Sequence, residues 1–385
     1  MKINIKPTNE IEESNVNRVI EIMTEIEKTP TVVDASIMPD ACPTGAKSVP
    51  VGAVVVADNA IHPGWHSYDA CCSVATSIFD GSPADLLERG HAVTHFGQGG
   101  RTAFKPTEEL IQRIKENPFT SPYLADAISH MGTQGDGNHF MFIGVSDKTG
   151  KTHMVTHHGS RAFGARVYKA GIDKAIEYRD KLGYTPEEVD KANAWIPFDT
   201  QDGKDYWEAL QIVREWTKQN HQNLHWASGA GEDWYWNEHN FVFKKDNLFY
   251  HAKGATPLLD EWVPDNDKGL RLIPLNMAQP VLVVSGEATE NNLGFAPHGA
   301  GRNVSRTQHT KKRLEGTDGN TVFAEETEGL DVRFFSGKMD LSELPSAYKD
   351  ADTVRAQIEE FNLGVVEDLI QPYGCIMAGH GKRRR

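Results

Sequence analysis

The chain has 385 residues, of which 39% are hydrophobic and 24% are charged, as is ordinary for a soluble globular protein. It has no apolar run of eighteen residues and no basic N-terminal segment with an apolar core, so we expect no membrane span or signal peptide and predict a cytoplasmic protein. The formal net charge of −14 excludes a protein that coats nucleic acid through a broad basic surface. A local basic groove stays open, because several cationic groups could converge: Arg161, Arg166, Arg302, Arg306 and the tail 381–385.

Hydrophobic periodicity predicts both helices and strands. Val16, Val19 and Met23 recur at helical spacing and predict an amphipathic helix over residues 10–28. Apolar runs rich in valine or aromatic residues predict strands over residues 48–57, 139–146, 151–157, 240–251 and 279–285. The longer helical period predicts helices over residues 106–117, 162–182, 206–226 and 346–370.

The order of these elements predicts the fold class. Strands and helices do not alternate in a repeating unit, which indicates an α+β fold with a mixed or antiparallel sheet flanked by helices. The polar stretches 199–205 and 316–328 predict surface loops and not domain boundaries. We therefore expect one domain over residues 1–385. Cys71 and Cys72 are adjacent and cannot easily bridge to each other, so we expect reduced thiols and no disulfide framework.

Six side chains of the types that bind metals stand at predicted strand ends and in glycine-bearing or polar turns: Asp69, Cys72, His139, His157, His239 and His298. A thiolate, a carboxylate and several imidazoles suit a divalent transition metal, and their spread along the chain argues against a small structural zinc knot. Taken singly, each has a structural explanation as a buried thiol, a turn cap or a satisfied histidine. Taken together, with Gly-Ser-Arg and Gly-Arg segments beside two of them, they favour a site for metal and anion.

Eight short motifs strengthen this interpretation. They are Met38-Pro39-Asp40, Val51-Gly52, Asp69-x-x-Cys72, Gly137-Asn138-His139-Phe140, His157-x-Gly159-Ser160-Arg161, His239-Asn240, Lys253-Gly254-Ala255 and His298-Gly299-Ala300-Gly301-Arg302-x-x-Ser305-Arg306. In this order they resemble the RtcB family of RNA ligases. Members of that family join RNA 3'-phosphate or 2',3'-cyclic phosphate ends to 5'-hydroxyl ends with GTP and manganese.

The resemblance implies roles for individual residues. Cys72 would bridge two manganese ions, one held also by Asp69 and His139 and the other by His157 and His239; the motif selects His157 over His158. His298 would be the nucleophile that attacks the α-phosphate of GTP and forms a histidine–GMP intermediate. The implied nucleotide contacts are Asn138, Arg161, Lys253, Asn276 and Arg302.

The chain departs from the family pattern in four places. Cys42 stands where the family has a histidine, Phe142 where it has a glutamate near the nucleotide, and Leu275-Asn276 where it has a Gly-Ser pair. The family's terminal Lys-Gly, which reaches guanine, has no counterpart in register, since Lys382 is displaced by several residues. The nucleotide is therefore open: GTP bound differently, another nucleoside triphosphate, or none.

Two other functions stay open at this point. One is a metal-dependent phosphoesterase that opens 2',3'-cyclic phosphates without ligation, and the other is a metal-bound sensor of RNA ends or nucleotides that has lost turnover. Divergent short members of the family also resemble a branch associated with release factor H-type translation rescue proteins. That resemblance implies a role in RNA repair and such a protein as a functional partner.

Overall fold

The computed structural model describes residues 1–97, 99–263, 265–266 and 268–380. In this part of the chain the strands are β1 (Lys2–Ile3), β2 (Val32–Cys42), β3 (Val51–Asp58), β4 (Ala60–Ile61), β5 (Ser73–Phe79), β6 (Phe140–Ser146), β7 (Thr152–His158), β8 (Ile196–Pro197), β9 (Glu232–Glu238), β10 (Asn240–Lys245), β11 (Leu248–Lys253), β12 (Ala255–Pro257), β13 (Arg271–Pro274), β14 (Val281–Ser285), β15 (Phe295–Pro297), β16 (Asp331–Phe334) and β17 (Val365–Met377). The helices are α1 (Glu10–Ile26), α2 (Pro83–Val93), α3 (Glu108–Glu116), α4 (Leu124–Ser129), α5 (Arg161–Lys181), α6 (Gln201–Ala227), α7 (Arg306–Arg313), α8 (Gly319–Glu326) and α9 (Ala351–Glu360).

Two sheets organise these elements. The smaller has the order β1-β2-β3-β11-β10, and the larger has the order β13-β14-β17-β6-β7-β5-β9 with β16 beside β17. Neighbouring strands in both run antiparallel except at β1–β2 and β16–β17. The predicted α+β fold with a largely antiparallel sheet and flanking helices is confirmed. Within the described ranges, no helix combines the length and the apolar character needed to cross a membrane.

The larger sheet has two different faces, because side chains alternate along each strand. One face carries Phe142 and Val155 and belongs to an apolar cluster with Met277 and Val281. We call it the cavity face. The opposite face carries Met141 and Met154 among others and packs against Leu86, Leu87 and Leu224 of α2 and α6. We call it the helix face.

Most predicted elements are found within a few residues of their expected bounds, but the helix predicted over residues 346–370 is wrong. Helix α9 ends at Glu360, and Asn362 and Gly364 then take positive φ values of 52° and 152°. Left-handed residues end a helix, and the β-branched Val365 and Val366 that follow suit a strand. The second half of the predicted helix is therefore β17.

Three other predictions are wrong for reasons of turn and cap chemistry. The strand predicted over residues 240–251 is a hairpin of β10 and β11, since Asp246 takes a positive φ of 53° between them. The predicted loop 199–205 contains the start of α6, where the Thr200 hydroxyl accepts from the Gly203 amide at 3.1 Å. The predicted loop 316–328 contains α8, capped by Asp318. Both stretches are polar and were therefore predicted as loops, although Thr200 and Asp318 are residues of the kind that cap the start of a helix.

Candidate metal centre and adjoining cavity

The five predicted metal ligands meet where the two sheets join. Cys72 directly precedes β5, His139 directly precedes β6, and His157 lies near the end of β7, the strand between them in the larger sheet. Register confirms their proximity, because His157 pairs with both Val74 and Phe140. His239 is the single residue between β9 of the larger sheet and β10 of the smaller.

Their donor atoms form two adjoining groups, which we call the metal-type groups. The sulfur of Cys72 lies 3.2 Å from Nε2 of His157 and 3.5 Å from Nε2 of His139. The His139 nitrogen is also 3.0 Å from Oδ2 of Asp69, and the His157 nitrogen is 3.3 Å from Nε2 of His239. The donors of Asp69, Cys72 and His139 lie within 4.8 Å of one another, as do those of Cys72, His157 and His239. Cys72 belongs to both groups.

The donor set fits divalent cations. The other ring nitrogens of His139 and His157 lie 2.6 and 3.2 Å from the carbonyl oxygens of Gln134 and Asn138. A carbonyl accepts only, so each Nδ1 carries a proton, and Nε2 is the nitrogen left to bind a cation. Nε2 of His139 faces a carboxylate and a sulfur, and Nε2 of His157 faces the same sulfur and another imidazole. A cation among these donors would be coordinated by them, and an outward N–H held by a carbonyl is usual for a metal-binding histidine.

Burial adjusts the protonation of these groups. It lowers the pKa of His157 to about 3, assisted by the neighbouring His139 and His298, so the ring is neutral. Burial, with Asp69 alongside, raises the pKa of the Cys72 thiol well above its usual range. Burial opposes ionisation of Asp69 as well, but the hydrogen bond and charge of His139 keep its pKa below the ordinary value. A bound cation would convert the thiol to a thiolate ligand.

The backbone around the centre is held in uncommon conformations. Cys71 and Arg161 take positive φ values of 59° and 57°, which are unfavourable for residues with a side chain. Gly159 lies two residues after His157, at a position where a side chain is excluded because a Cβ there would overlap the carboxylate of Asp69. Gly135 is likewise covered by the guanidinium of Arg161. The glycines of these motifs let the polar groups approach this closely.

His298 lies beside the metal-type groups and is held by a buried carboxylate. Its Nδ1 is 2.5 Å from Oδ2 of Asp40, and its backbone amide donates to the same oxygen at 3.1 Å. Asp40 is fully buried, and the rings of His298 and His239 have centroids 5.0 Å apart. The sequence motif containing Asp40 was recognised, but its role was missed, because the contact joins residues 258 positions apart.

A cavity of about 740 Å³ adjoins His298 and His157 and is also lined by Asn138 and Asn276. Its floor is the cavity face of the larger sheet, where Phe140 pairs with Met377 and Phe142 pairs with Cys375. The departures from the family pattern at Phe142 and near the C-terminus therefore meet on one apolar floor. Its size suits a nucleotide or another small ligand.

The predicted arginines reach different surroundings. Arg302 lines the cavity, and its terminal nitrogens donate to the Ser342 carbonyl at 2.7 Å and to Glu343 at 2.6 Å. Glu343 is buried and also accepts from Nε of Arg306 at 2.6 Å. Arg161 instead lies by the metal-type groups, with Nη1 3.4 Å from Nδ1 of His139.

Two expected contributors stand apart from the cavity. Lys253 is not among the lining residues in the described part of the chain; its ammonium donates to the Val49 carbonyl at 2.7 Å and the Thr44 hydroxyl at 3.1 Å. Burial lowers its pKa to about 8. Arg166 is exposed, 3.7 Å from Asp126 on α4. The basic tail, including Lys382, lies outside the described residues.

Two metal-type groups share one thiol and lie beside a carboxylate-held imidazole and a cavity of nucleotide size, which together define a candidate site for metal ions and a phosphate-bearing ligand. The family described as tRNA-splicing ligase RtcB matches residues 84–378, and the chain belongs to this family. The matched range begins after Asp69 and Cys72, so the evidence that these two side chains belong to the site is their position in the structure.

Individual relatives agree with the family assignment. The chain is 24% identical to the tRNA-splicing ligase RtcB of Thermococcus kodakarensis, over 94% of this chain and 92% of the relative. It is 29% identical to that of Archaeoglobus fulgidus, over 63% of this chain and 58% of the relative. It is 26% identical to the tRNA-splicing ligase RtcB of Pyrococcus abyssi, over 69% of this chain and 34% of the relative. The alignments to the latter two thus span little more than half and about a third of those proteins.

Proposed function

We propose that this chain is an RNA ligase that joins an RNA 3'-phosphate or 2',3'-cyclic phosphate end to a 5'-hydroxyl end, in RNA repair or tRNA splicing. It would use GTP and two manganese ions. One observation carries the proposal: the imidazole of His298 is bound through Nδ1 to buried Asp40, beside His239, in the wall of the cavity. Membership of a family of tRNA-splicing ligases supports the RNA ligase activity.

The first step follows from the proton on His298. Because Nδ1 bonds to the Asp40 carboxylate, Nε2 holds the free lone pair. Nε2 attacks the α-phosphorus of GTP, a nitrogen–phosphorus bond forms, and the bond to the oxygen bridging towards the β-phosphate breaks. Pyrophosphate leaves with that electron pair. Asp40 stabilises the positive charge that the ring acquires.

The later steps return His298 to its starting state. An oxygen of the RNA 3'-phosphate attacks the phosphorus of the histidine-bound GMP, and the nitrogen–phosphorus bond breaks. The 5'-hydroxyl then attacks the RNA phosphorus, its proton passes to solvent, and GMP leaves as the new phosphodiester forms. Manganese, held by Asp69, Cys72, His139, His157 and His239, would neutralise phosphate charge and acidify bound water. At a 2',3'-cyclic end, that water would first attack the RNA phosphorus, and the bond from phosphorus to the 2'-oxygen would break to leave a 2'-hydroxyl and a 3'-phosphate.

We assign Asn138, Arg161, Asn276 and Arg302 as contacts to the nucleotide phosphates or sugar. Lys253 would act indirectly, since its ammonium braces the loop of residues 44–49. The macromolecular partner is RNA with the ends named above. A release factor H-type protein remains a proposed functional partner on the sequence resemblance alone.

Covalent labelling tests the proposal. Protein incubated with manganese and GTP labelled at the α-phosphate should retain the label after denaturation. His298→Ala should lose the label and keep its manganese. His309→Ala is the matched control, since this buried histidine of α7 contacts Ser346 and is not among the cavity-lining residues. A label that persists on His298→Ala would show that the nucleophile is another residue.

The apolar floor favours a second candidate, a 2',3'-cyclic phosphodiesterase that does not ligate. Phe142, Cys375 and Met377 offer a base no strong hydrogen-bonding group, and loss of such contacts relaxes discrimination between bases. Intact mass after incubation with manganese and each of the four nucleoside triphosphates separates the candidates. A nucleotide-sized adduct identifies a ligase and its base. Opening of the cyclic phosphate without a nucleotide, and without joined product, identifies the phosphodiesterase.

A further inference from the structure

A buried polar cluster lies on the helix face, directly behind the metal-type groups. His221 and His225, one helical turn apart on α6, project onto strands β5 and β7. His221 places Nε2 3.0 Å from the Ser73 hydroxyl and Nδ1 2.7 Å from the Thr156 hydroxyl. His225 places Nε2 2.7 Å from the same Thr156 hydroxyl and Nδ1 2.6 Å from the Ser77 hydroxyl. All five side chains are fully buried.

The direction of every hydrogen bond in this cluster can be assigned. Ser77 donates its only hydroxyl proton to the Ala230 carbonyl at 2.7 Å, so it accepts from Nδ1–H of His225. Burial lowers the pKa of both histidines, so each ring is neutral with one bare nitrogen. Thr156 therefore donates to Nε2 of His225 and accepts from Nδ1–H of His221. The Ser73 hydroxyl then donates to Nε2 of His221 at 3.0 Å, in preference to the carbonyl oxygens of Cys71 and His158 at 3.2 and 3.4 Å, and both rings are satisfied.

The contacts of His221 are immediate neighbours of two metal-type residues. Ser73 follows Cys72 in the chain, and Thr156 precedes His157. His158, which follows His157, stacks on the His221 ring with centroids 3.5 Å apart. Because successive side chains point to opposite faces of a sheet, a shift of Ser73 or Thr156 on the helix face displaces Cys72 or His157 on the cavity face.

We propose that His221 is a positioning residue for the metal centre. By bonding to Ser73 beside Cys72 as well as to Thr156 beside His157, it fixes the separation of Cys72 and His157 and so keeps one sulfur within reach of both ligand groups. This inference rests on the metal binding proposed above. His225 bonds to Thr156 equally well but contacts neither Ser73 nor His158 through a hydrogen bond or ring stack, so its role is structural.

The pair provides a matched test in the full-length chain, with cobalt(II) as the probe. Cobalt bound by a thiolate gives a charge-transfer absorption that reports the Cys72–metal contact without any catalytic assay. His221→Ala and His225→Ala should lower the melting temperature by similar amounts. His221→Ala should also weaken cobalt binding roughly tenfold, as loss of supporting contacts to metal ligands does, and shift the absorption. His225→Ala should leave both close to those of the unmodified protein.

The possible results separate this inference from the metal proposal. His221→Gln, which retains an amide able to bond to Ser73 or Thr156, should recover part of the affinity. If His221→Ala and His225→Ala bind cobalt alike and give the same absorption, His221 has no positioning role although the metal site stands. If the unmodified protein gives no thiolate absorption, the shared thiolate ligand is wrong and the inference is overturned with it.

Discussion

The two faces of strand β7 place neighbouring histidines in opposite chemical environments. His157 and His158 are both buried, and burial lowers the pKa of each. On the helix face, the nitrogens of His221 and His225 meet hydroxyl groups, which can donate or accept and so satisfy neutral rings. On the cavity face, Nε2 of His157 meets a sulfur and another imidazole. Burial therefore does not distinguish His157, the proposed metal ligand, from the histidines of the helix face; the partner of each ring nitrogen does.

The largest effect is expected from removing the sulfur that both ligand groups share. Cys72→Ala should abolish the binding of both manganese equivalents, because each group retains too few donors for a tight site. His239→Ala should remove one equivalent and leave the other. Metal content after gel filtration, measured by mass spectrometry, gives the stoichiometry directly.

The adjacent thiol supplies the control for that experiment. Cys71 is as deeply buried as Cys72 but belongs to neither ligand group, so Cys71→Ala should keep both equivalents. Retention of two manganese ions by Cys72→Ala would refute the shared thiolate. Equal losses from the two cysteine variants would indicate a general packing defect.

Sequence reasoning predicted the groups that carry distinctive chemistry but not the groups that support them. The six ligand-type residues stand in short local motifs, and the structure brings all of them together. Asp40, Glu343 and His221 act through partners 258, 41 and 148 positions away in sequence, and no local pattern encodes such contacts. The spacing of His221 and His225 does place both on one side of α6, yet spacing cannot tell a hydroxyl partner from a metal.

The same limit applies to the fold. Long helices with strong periodicity, such as α1, α5 and α6, were predicted to within a few residues at most ends. The periodicity of residues 346–370 predicts a helix, whereas strand pairing of β17 with β6 and β14 makes the end of that range a strand. The pairing partners of β17 lie 80 or more residues away in sequence, and such distant contacts decide the structure of this segment.

His298 provides a third environment, in which the second ring nitrogen meets a carboxylate. Asp40→Asn should reduce the rate of nucleotide adduct formation by about 10²- to 10⁴-fold, because the amide neither stabilises the charged ring nor enforces the Nδ1–H tautomer. Manganese stoichiometry should not change. The measurement is the rate of covalent labelling at saturating GTP.

Asp34→Asn is the matched control. Asp34 lies on β2, as Asp40 does, but near the opposite end of that strand, where it forms an ion pair with Lys2. Its labelling rate should match that of the unmodified protein. A rate for Asp40→Asn within a few-fold of the control would mean that the carboxylate only anchors the loop. The imidazole would then be activated by another group.

The smallest expected effect is a fall in the free energy of unfolding at acid pH, where the neutral histidines of the helix face oppose protonation. Burial holds the pKa of His225 at about 3, whereas an unfolded histidine titrates near 6.5. Between these values the unfolded chain binds more protons than the folded one. The contribution of His225 to the free energy of unfolding is therefore fully present above about pH 6.5 and is lost as the pH drops towards 3. Each such histidine contributes a slope of up to about 1.4 kcal/mol per pH unit.

Urea unfolding of chelator-treated protein between pH 7 and pH 4.5 measures that slope without a contribution from metal release. His225→Asn removes one buried imidazole and should reduce the slope by at most one proton. His91→Asn, at an exposed position in the last turn of α2, should leave it unchanged. Stability that does not vary across this range would mean that the buried rings already carry protons in the folded state. The neutral, directional hydrogen-bond chain through Thr156 would then be wrong, and with it the contrast between the two faces of β7.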